Sequence, residues 1–305
     1  MTATNMDVTD LGQVAANIGG VGSITNLTLD STMGADLIGE LLGTKTVDAS
    51  VDADASGMSA AQLNAIGAEI AEINAITGTL ALTSGVDASA MSSIYAEYTG
   101  TTSTVVATGM SAAQLNAIDD TKVAANGITG TFTINADVTS TQITALLADT
   151  NAGASLTIDA TGMSAAQISA VEIGIGVVDS VTGLTLTSSQ SAAEITDLLG
   201  SAAVAANSAS VDATGMTEAQ LAAVATGIAK IPANGITGVM SLSTAGLTDI
   251  EIGALLSDAS VGATVTVDAT SITTADLTAL STNIAKVDAI TGLTVTDTQS
   301  SAEIG

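Results

Sequence analysis

The sequence predicts an α/β fold, a repeat solenoid in which short parallel strands alternate with short helices. A segment that reads Gly-Met-Ser-Ala-Ala-Gln-Leu and a tripeptide that reads Ile-Thr-Gly both recur with a period of about 52 residues. The same period in two independent markers indicates about six units, each with two strand-helix coils, in a single array over residues 1–305. The predicted units are approximately 1–50, 51–103, 104–155, 156–208, 209–264 and an incomplete 265–305.

The first half of a unit is a strand followed by a helix, as the fourth unit illustrates. Leu156 and Ile158 alternate with polar residues, which predicts a strand with one buried face. The helix begins after Ser164, and Gln167 three residues later completes a capping box. The same box recurs as Ser59/Gln62, Ser111/Gln114 and Thr217/Gln220. The position directly before this capping box is usually methionine, and this methionine column is expected to pack in the core between strand and helix. Its members are Met6, Met58, Met110, Met163, Met216 and Ile272.

The second half of a unit has the same order of elements. Residues 181–187 predict a strand, and Ser191 with Glu194 caps the next helix. Strands that are joined by helices run parallel, with right-handed crossovers. A strand spacing of about 4.8 Å over roughly twelve coils predicts a rod about 55–60 Å long. The expected buried helix faces are Ile143/Leu146/Leu147, Ile195/Leu198/Leu199 and Ile252/Leu255/Leu256.

The charge of the protein excludes several classes of partner. The sequence has 31 Asp and Glu, no Arg, no His and a formal net charge of −27. Because phosphates and anionic lipids bind to cationic surfaces, we predict no nucleic-acid binding and no attraction to anionic membranes. No apolar run approaches the roughly 20 residues that a spanning helix needs, so no membrane insertion is expected. The only cations are Lys45, Lys122, Lys230 and Lys286.

The composition also indicates that the protein is not an enzyme. Without His, Cys or Arg, only paired carboxylates remain for acid–base chemistry. The acidic residues recur by period instead of converging on one place. Glycines after each Ile-Thr marker indicate turns, because no phosphate-binding loop motif follows them. We therefore predict no catalytic residue and no organic cofactor.

One acidic column is a candidate metal site. Asp54, Asp159, Asp212 and Asp268 each stand four positions before the methionine column, and Val106 interrupts the series. These aspartates follow buried strand residues, so they are expected to point outward. One interpretation is a calcium ladder, since Ca²⁺ is bound by several carboxylate and carbonyl oxygens. The other is a solvated acidic face, because the carboxylates recur only on alternate coils, roughly 10 Å apart.

Outward threonine pairs form a second candidate surface. The pairs are Thr131/Thr133, Thr185/Thr187 and Thr294/Thr296. Flat Thr-x-Thr arrays resemble ice-binding surfaces. The alternative is that threonine is simply a favourable exposed strand residue, and Asp159 and Val106 interrupt the array.

The half-units resemble leucine-rich repeats. Val181-x-x-Leu184-x-Leu186 follows the opening Leu-x-x-Leu-x-Leu of that family. Where the family has asparagine, this protein has a hydroxyl residue, so the resemblance implies an internal ladder of hydroxyl groups; the positions are Ser56, Thr108, Thr161, Thr214 and Thr270. The repeated sequence Val-Asp-Ala-Thr-Gly-Met is also similar to the acidic, Thr- and Ala-rich repeats of giant secreted or cell-surface proteins of marine bacteria, including cyanobacteria. That similarity implies an extracellular or cell-surface location.

These observations favour a structural role. The favoured hypothesis is a rod, spacer or surface-layer segment of a large secreted or cell-surface bacterial protein, whose partners are neighbouring repeats. The alternatives are a filament subunit that stacks end to end with copies of itself, and a calcium-dependent adhesin or ice-binding surface. By comparison with residues 191–199, residues 301–305 are the start of a helix, so we expect the array to continue in a longer protein.

Overall fold

The computed structural model describes residues 2–3, 6–21, 23–43, 51–151, 153–260 and 262–294. Lys45, Thr296 and the expected helix start at 301–305 lie outside these ranges. The protein divides into two compact units, residues 1–156 and residues 157–305. Both consist of short parallel strands alternating with short helices, so the predicted α/β class is confirmed.

The first unit contains two three-stranded parallel sheets, β1-β2-β3 and β4-β5-β6, and a further strand, β7. Its strands are β1 (Thr28–Leu29), β2 (Val51–Asp54), β3 (Ile73–Thr77), β4 (Ala81–Thr83), β5 (Ser103–Val106), β6 (Val123–Thr129) and β7 (Thr131–Ile134). Its α-helices are α1 (Val8–Ala16), α2 (Ala35–Gly43), α3 (Ala60–Ala68), α4 (Ala88–Glu97), α5 (Ala112–Asn116) and α6 (Ser140–Asp149). Short 3₁₀ helices span Ile18–Gly20, Ile70–Glu72 and Asp120–Lys122.

The second unit repeats this arrangement. Strand β8 (Ser155–Asp159), which begins at the unit boundary, pairs with β9 (Ser180–Thr182). Two three-stranded parallel sheets follow, β10-β11-β12 and β13-β14-β15. These strands are β10 (Thr185–Leu186), β11 (Ser210–Asp212), β12 (Ile236–Thr237), β13 (Val239–Ser243), β14 (Thr264–Asp268) and β15 (Ala289–Thr291). The helices are α7 (Ala165–Ile173), α8 (Ala192–Gly200), α9 (Glu218–Thr226), α10 (Asp249–Asp258) and α11 (Thr274–Thr282), with 3₁₀ helices at Ile175–Val177, Ile228–Lys230 and Ile284–Lys286.

A left-handed glycine divides the second strand of a unit into two pieces. Gly238, at φ +80, separates β12 from β13. The piece before it pairs with the preceding strand β11, and the piece after it pairs with the following strand β14. Only a residue without Cβ adopts this conformation freely. The glycine therefore lets one strand take part in two sheets.

The core consists of the apolar residues that the repeat predicts. The three helix faces named above are fully or almost fully buried, and Leu156 and Ile158 are buried on β8. The methionines of the column at 58, 110, 163 and 216 are also buried, at the junction of strand and helix. The predictions for the helix faces and for β8 are confirmed, and the prediction for the column is confirmed at these four methionines, whereas Met6 and Ile272 are only partly buried. Within the described ranges, no helix combines the length and apolar character that crossing a membrane requires.

The 3₁₀ helices were not predicted. Each follows a first-half helix after a short gap and closes with a bond from an N–H to the carbonyl three residues earlier, as from Ile231 to Ile228 at 2.9 Å. Three residues are too few to produce a helical period in the sequence.

The predicted hydroxyl ladder exists in part, but it is not internal. Oγ of Ser56 accepts the N–H of Thr79, and the same 3.0 Å bond joins Thr108 to Thr131 and Thr214 to Val239. All the hydroxyl residues of this column are exposed. The reason is their place in the turn after the strand, where the backbone has already left the core. The prediction of an internal position was wrong.

Candidate functional site

The aspartates at 54, 159, 212 and 268, called here the aspartate column, each end a strand, and their side chains point outward as predicted. In each, Oδ1 accepts the N–H of the residue two positions later at 3.0–3.1 Å. Such a bond closes a local turn without help from other parts of the protein. The donors are Ser56, Thr161, Thr214 and Thr270.

The charge state of these carboxylates follows from the same turns. The pKa values of Asp54, Asp212 and Asp268 lie below the ordinary value because the hydroxyl, and then the N–H, of the residue two positions later bind the ionised carboxylate. A lowered folded-state pKa contributes stability above the ordinary aspartate pKa, and this contribution is lost as pH falls through the lowered value. Asp54, Asp212 and Asp268 therefore supply structural acceptors at neutral pH.

The following coil covers the carboxylate. A Cβ on Gly78 would lie 2.0 Å from Asp54 Oδ1, and one on Gly238 would lie 2.1 Å from Asp212 Oδ1. Oδ1 thus lies between its own turn and the glycine at which the next strand divides. The absence of a Cβ at this glycine leaves room for the carboxylate of the preceding coil.

The aspartate column does not converge on one point. Its members occupy separate turns, and no group of three or more Asp, Glu, His or Cys side chains that would suit a metal ion is found in the part of the protein that the structure describes. The calcium assignment to Asp54, Asp159, Asp212 and Asp268 stays a prediction.

Glutamine side chains of the capping boxes make a second set of contacts between coils. Nε2 of Gln114 donates to the carbonyl oxygens of Ser84 and Val86, at 2.9 and 2.7 Å. Gln220 makes the same pair of bonds to Ser188 and Gln190, while its Oε1 completes its own capping box. One amide therefore caps its own helix and binds the turn before the helix of the preceding coil.

Asparagines two positions later on the same helices bind in the opposite direction. Nδ2 of Asn64 donates to Gly85 O at 3.0 Å, and its Oδ1 accepts the N–H of Asp87 at 2.8 Å. Asn116 repeats the arrangement with Asp137 O and Thr139 N, at 2.9 and 3.1 Å. These helices are therefore tied to the coil on either side.

The lysines of the described residues cap helices of the preceding coil. Nζ of Lys230 donates to Ser201 O at 3.0 Å and to Val204 O, beyond the end of α8. Lys122 binds Tyr95 O in the last turn of α4 and Tyr98 O just beyond it, and Lys286 binds Ser257 O in the last turn of α10 and Ala259 O just beyond it. A cation at this position satisfies free carbonyls and opposes the negative end of the helix dipole.

We expect Lys230→Met to lower the free energy of unfolding by about 1–2 kcal/mol, because two partly buried carbonyls lose their donor. Urea denaturation followed by circular dichroism measures the change. The loss should persist in concentrated salt, which screens long-range charge effects. A loss that disappears in salt would contradict the capping role and assign the effect to net charge.

Carboxylates on α7 and α8 oppose each other. Burial, then a hydrogen bond to Asp197, then repulsion from Asp197 and Glu194 raise the pKa of Glu172 above its ordinary value. A raised carboxyl pKa favours the protonated folded form, so its stabilising contribution is present at low pH and is lost as pH rises through the raised value. Ionised Glu172 therefore destabilises the protein at neutral pH.

We expect Glu172→Gln to raise the melting temperature at neutral pH. The gain should correspond to a few tenths of a kcal/mol, about 0.3, since the side chain is partly exposed and water screens the repulsion. Below the ordinary glutamate pKa of about 4.3, the variant and the parent protein should melt together. Equal gains at both pH values would show that the charge of Glu172 is not the cause.

Two equivalent grooves lie beside the strand-to-helix corner. One, of about 790 Å³, is lined by Met6, Leu11, Thr28, Asp30, Thr32 and Met33. The other, of about 400 Å³, is lined by Met163, Ile168, Thr185, Thr187, Ser189 and Gln190, the same positions of the repeat. Beside each groove, the strand has one residue fewer after its left-handed residue than the strand that follows Gly78. Gly183 is followed by Leu-Thr-Leu186, for example, whereas Gly78 is followed by Thr-Leu-Ala-Leu82. A shortened strand leaves the corner less filled.

The described threonines of these pairs lie on β7 and β10 or shortly after β10 and β15. Thr131, Thr133, Thr185 and Thr294 are exposed and Thr187 is partly exposed, whereas Thr296 is outside the described residues. Oγ1 of Thr185 lies 2.9 Å from Oγ of Ser210, so this hydroxyl already has a protein partner. Ice binding stays a prediction.

Comparisons with known proteins identify no family. No protein-family model matches the sequence, and no curated protein matches it. Among solved structures, the crystal structure of the leucine-rich repeat-containing protein LegL7 from Legionella pneumophila is similar to this chain. The two share 15% sequence identity with a TM-score of 0.23, over 100% of this chain and 95% of that chain. A likeness of that size carries no argument about function.

Proposed function

We propose that this protein is a structural repeat segment, a stiff acidic spacer of a large secreted or cell-surface bacterial protein. In this proposal, the coils of both units continue as one leucine-rich-repeat-like solenoid. The supporting observation is the use of the recurring polar side chains. The aspartate column, the capping-box glutamines, the helix asparagines and the lysines bind the backbone of their own or a neighbouring coil. Polar side chains that bind the backbone in this way stabilise the coils and their stacking on one another.

The distance between two spin labels tests whether the coils of both units form one continuous solenoid. The sequence has no cysteine, so Ala81→Cys with Ala289→Cys creates a unique pair for spin labels. Both alanines are exposed, and each pairs with the same position of a first-half strand, Ala81 with Thr104 of β5 and Ala289 with Thr266 of β14. A continuous stack separates them by about eight strand spacings, roughly 38 Å. A broad distribution, or a peak far from this value, would contradict the continuous solenoid.

The spacer role is tested by microscopy and by location. Negative-stain images of the purified protein should show isolated short particles. Micrometre-long fibres would instead support the alternative of a subunit that stacks end to end. Antibodies against the protein should label the surface of intact cells that make it; labelling only after the cells are opened would contradict an extracellular location.

Calcium binding is tested by melting. If the aspartate column binds Ca²⁺, millimolar calcium should raise the melting temperature relative to EDTA, because a ligand that binds only the folded state stabilises it. Asp212→Asn should reduce that rise while keeping an acceptor oxygen for the turn. Equal melting temperatures in calcium and in EDTA would contradict calcium binding by the aspartate column.

A further inference from the structure

The sequence has an inserted Asn-Gly pair at two places. Six positions separate Lys122 from Ile128, whereas only four separate Lys286 from Ile290 at the equivalent place. The additional residues in the third unit include Asn126-Gly127, and the fifth unit has Asn234-Gly235 at the matching positions.

Both insertions form turns in which the asparagine is exposed and the glycine is buried. On β5 and β6, Ser103 pairs with Val123 but Val105 pairs with Ile128, so the residues between them leave the ladder. In the second unit, the N–H of Gly235 donates to Pro232 O at 2.8 Å and closes a four-residue turn. The asparagines at 126 and 234 have φ values of +58 and +64 and are exposed. Asparagine tolerates this left-handed conformation better than most residues.

The residue after each asparagine is a glycine for a structural reason. A Cβ on Gly127 would lie 2.6 Å from Ala124 O, and a Cβ on Gly235 would lie 2.7 Å from Pro232 O. A glycine leaves its backbone nitrogen unhindered on the side that faces the preceding side chain. Each turn therefore places an exposed asparagine amide beside a buried backbone nitrogen whose own residue has no side chain to hinder it, and at residue 235 the attack requires the N–H to release Pro232 O first.

Asparagines elsewhere are held differently. Both ends of the amides of Asn64 and Asn116 are hydrogen-bonded to the following coil, and each of these residues is followed by alanine. Their amides are fixed away from the next backbone nitrogen. They form a matched internal control.

We propose that Asn126 and Asn234 are sites of spontaneous deamidation, a covalent modification that is independent of the spacer role. The backbone nitrogen of the following glycine bonds to Cγ of the asparagine, the bond from Cγ to Nδ2 breaks, and ammonia leaves with the glycine amide proton. Water then opens the resulting five-membered imide at either carbonyl and gives aspartate or isoaspartate. The sum consumes one water, releases one ammonia and requires no oxidant or reductant.

The two products have different consequences for the fold. Aspartate keeps the backbone and tolerates the left-handed conformation, so it adds only a negative charge to a protein that already carries −27. Isoaspartate inserts one additional carbon, the former Cβ, into the backbone. At residue 126 this change falls inside β6, two residues before Ile128 pairs with Val105. Isoaspartate there should loosen the coil.

The test is peptide mapping of the intact folded protein after incubation at mildly alkaline pH in ¹⁸O-water. Conversion at residues 126 and 234, with incorporated ¹⁸O and released ammonia, should be at least about tenfold faster than at Asn64 and Asn116, or about 1.4 kcal/mol in activation free energy. Isoaspartate is detected by enzymatic methylation of the peptides.

Two further arms make the result decisive. The double variant Asn126→Asp with Asn234→Asp should release little ammonia over the same period. A parallel incubation in urea measures the conversion without the fold. If both sites convert in urea but remain intact in the folded protein, or if Asn64 and Asn116 convert equally fast, the proposal is overturned.

Discussion

Replacing Gln220 by glutamate should lower the free energy of unfolding by about 3 kcal/mol at neutral pH. The side chain is buried, and its Nε2 donates to the carbonyls of Ser188 and Gln190. Glutamate keeps the acceptor of the capping box but places a carboxylate oxygen against two carbonyl oxygens. Because protonation restores a donor, the loss should shrink at acidic pH. Urea denaturation at two pH values measures both effects.

Glu251→Gln is the matched control for this prediction. Glu251 completes the capping box of Thr248 on α10 with Oε2 at 2.7–2.8 Å, and these bonds are exposed. The amide oxygen of glutamine serves equally well there, so the change should be within about 0.5 kcal/mol. Similar losses in both variants would show that the contact with the preceding coil adds nothing to the capping box.

Gly238→Ala should cost about 2–4 kcal/mol. The left-handed backbone at φ +80 is unfavourable for alanine, and the new Cβ would lie 2.1 Å from Asp212 Oδ1 and 2.4 Å from Thr214 Oγ1. The aspartate turn and the division between β12 and β13 cannot both remain as they are. Circular dichroism during urea denaturation measures the loss.

Gly176→Ala provides the comparison. A Cβ at Gly176 meets nothing within 4 Å, and the residue lies in an exposed part of a 3₁₀ helix. The substitution there should be neutral or stabilising by about 0.4–1 kcal/mol, because alanine restricts the unfolded state. Equal losses at Gly176 and Gly238 would contradict the close approach described for Gly238.

The parts of this fold that depend on neighbours in sequence were predictable. Ser164 and Gln167 are three positions apart, and one turn of helix brings them together whatever surrounds them. The buried face of Ile195, Leu198 and Leu199 follows from the helical period in the same way. Because the sequence repeats, each of these local predictions applies to the equivalent residues of other units.

The contacts between coils were not predictable from the same reasoning. The side-chain amide of Gln114 donates to backbone carbonyls about thirty positions earlier. Because every residue has a backbone carbonyl, the sequence does not mark which one is the acceptor. One signal did exist: several first-half capping boxes use glutamine, whereas Ser191 and Thr248 are followed by glutamate. A carboxylate satisfies the box but lacks a donor. The preference for an amide indicates that a second partner is present.

The hydroxyl ladder was misplaced for a related reason. The resemblance to leucine-rich repeats assigns Thr214 to the inside of a coil, but Asp212 closes a turn there and moves the hydroxyl to the surface. The left-handed Gly238 of the next coil then brings the N–H of Val239 to it. The second effect depends on backbone geometry between coils.

The glycine that divides a second strand also has a consequence for hydrogen exchange. Strand pairing changes partner at Gly238, but the bonds from Ser260 N–H to Ile236 O at 2.7 Å and from Thr264 N–H to Gly238 O at 2.9 Å tie both sides of the division to the same following coil. Opening one three-stranded sheet therefore removes partners from the adjacent one. We expect amide protons on the two sides of Gly238 to exchange with solvent in one coupled step, which hydrogen exchange measures.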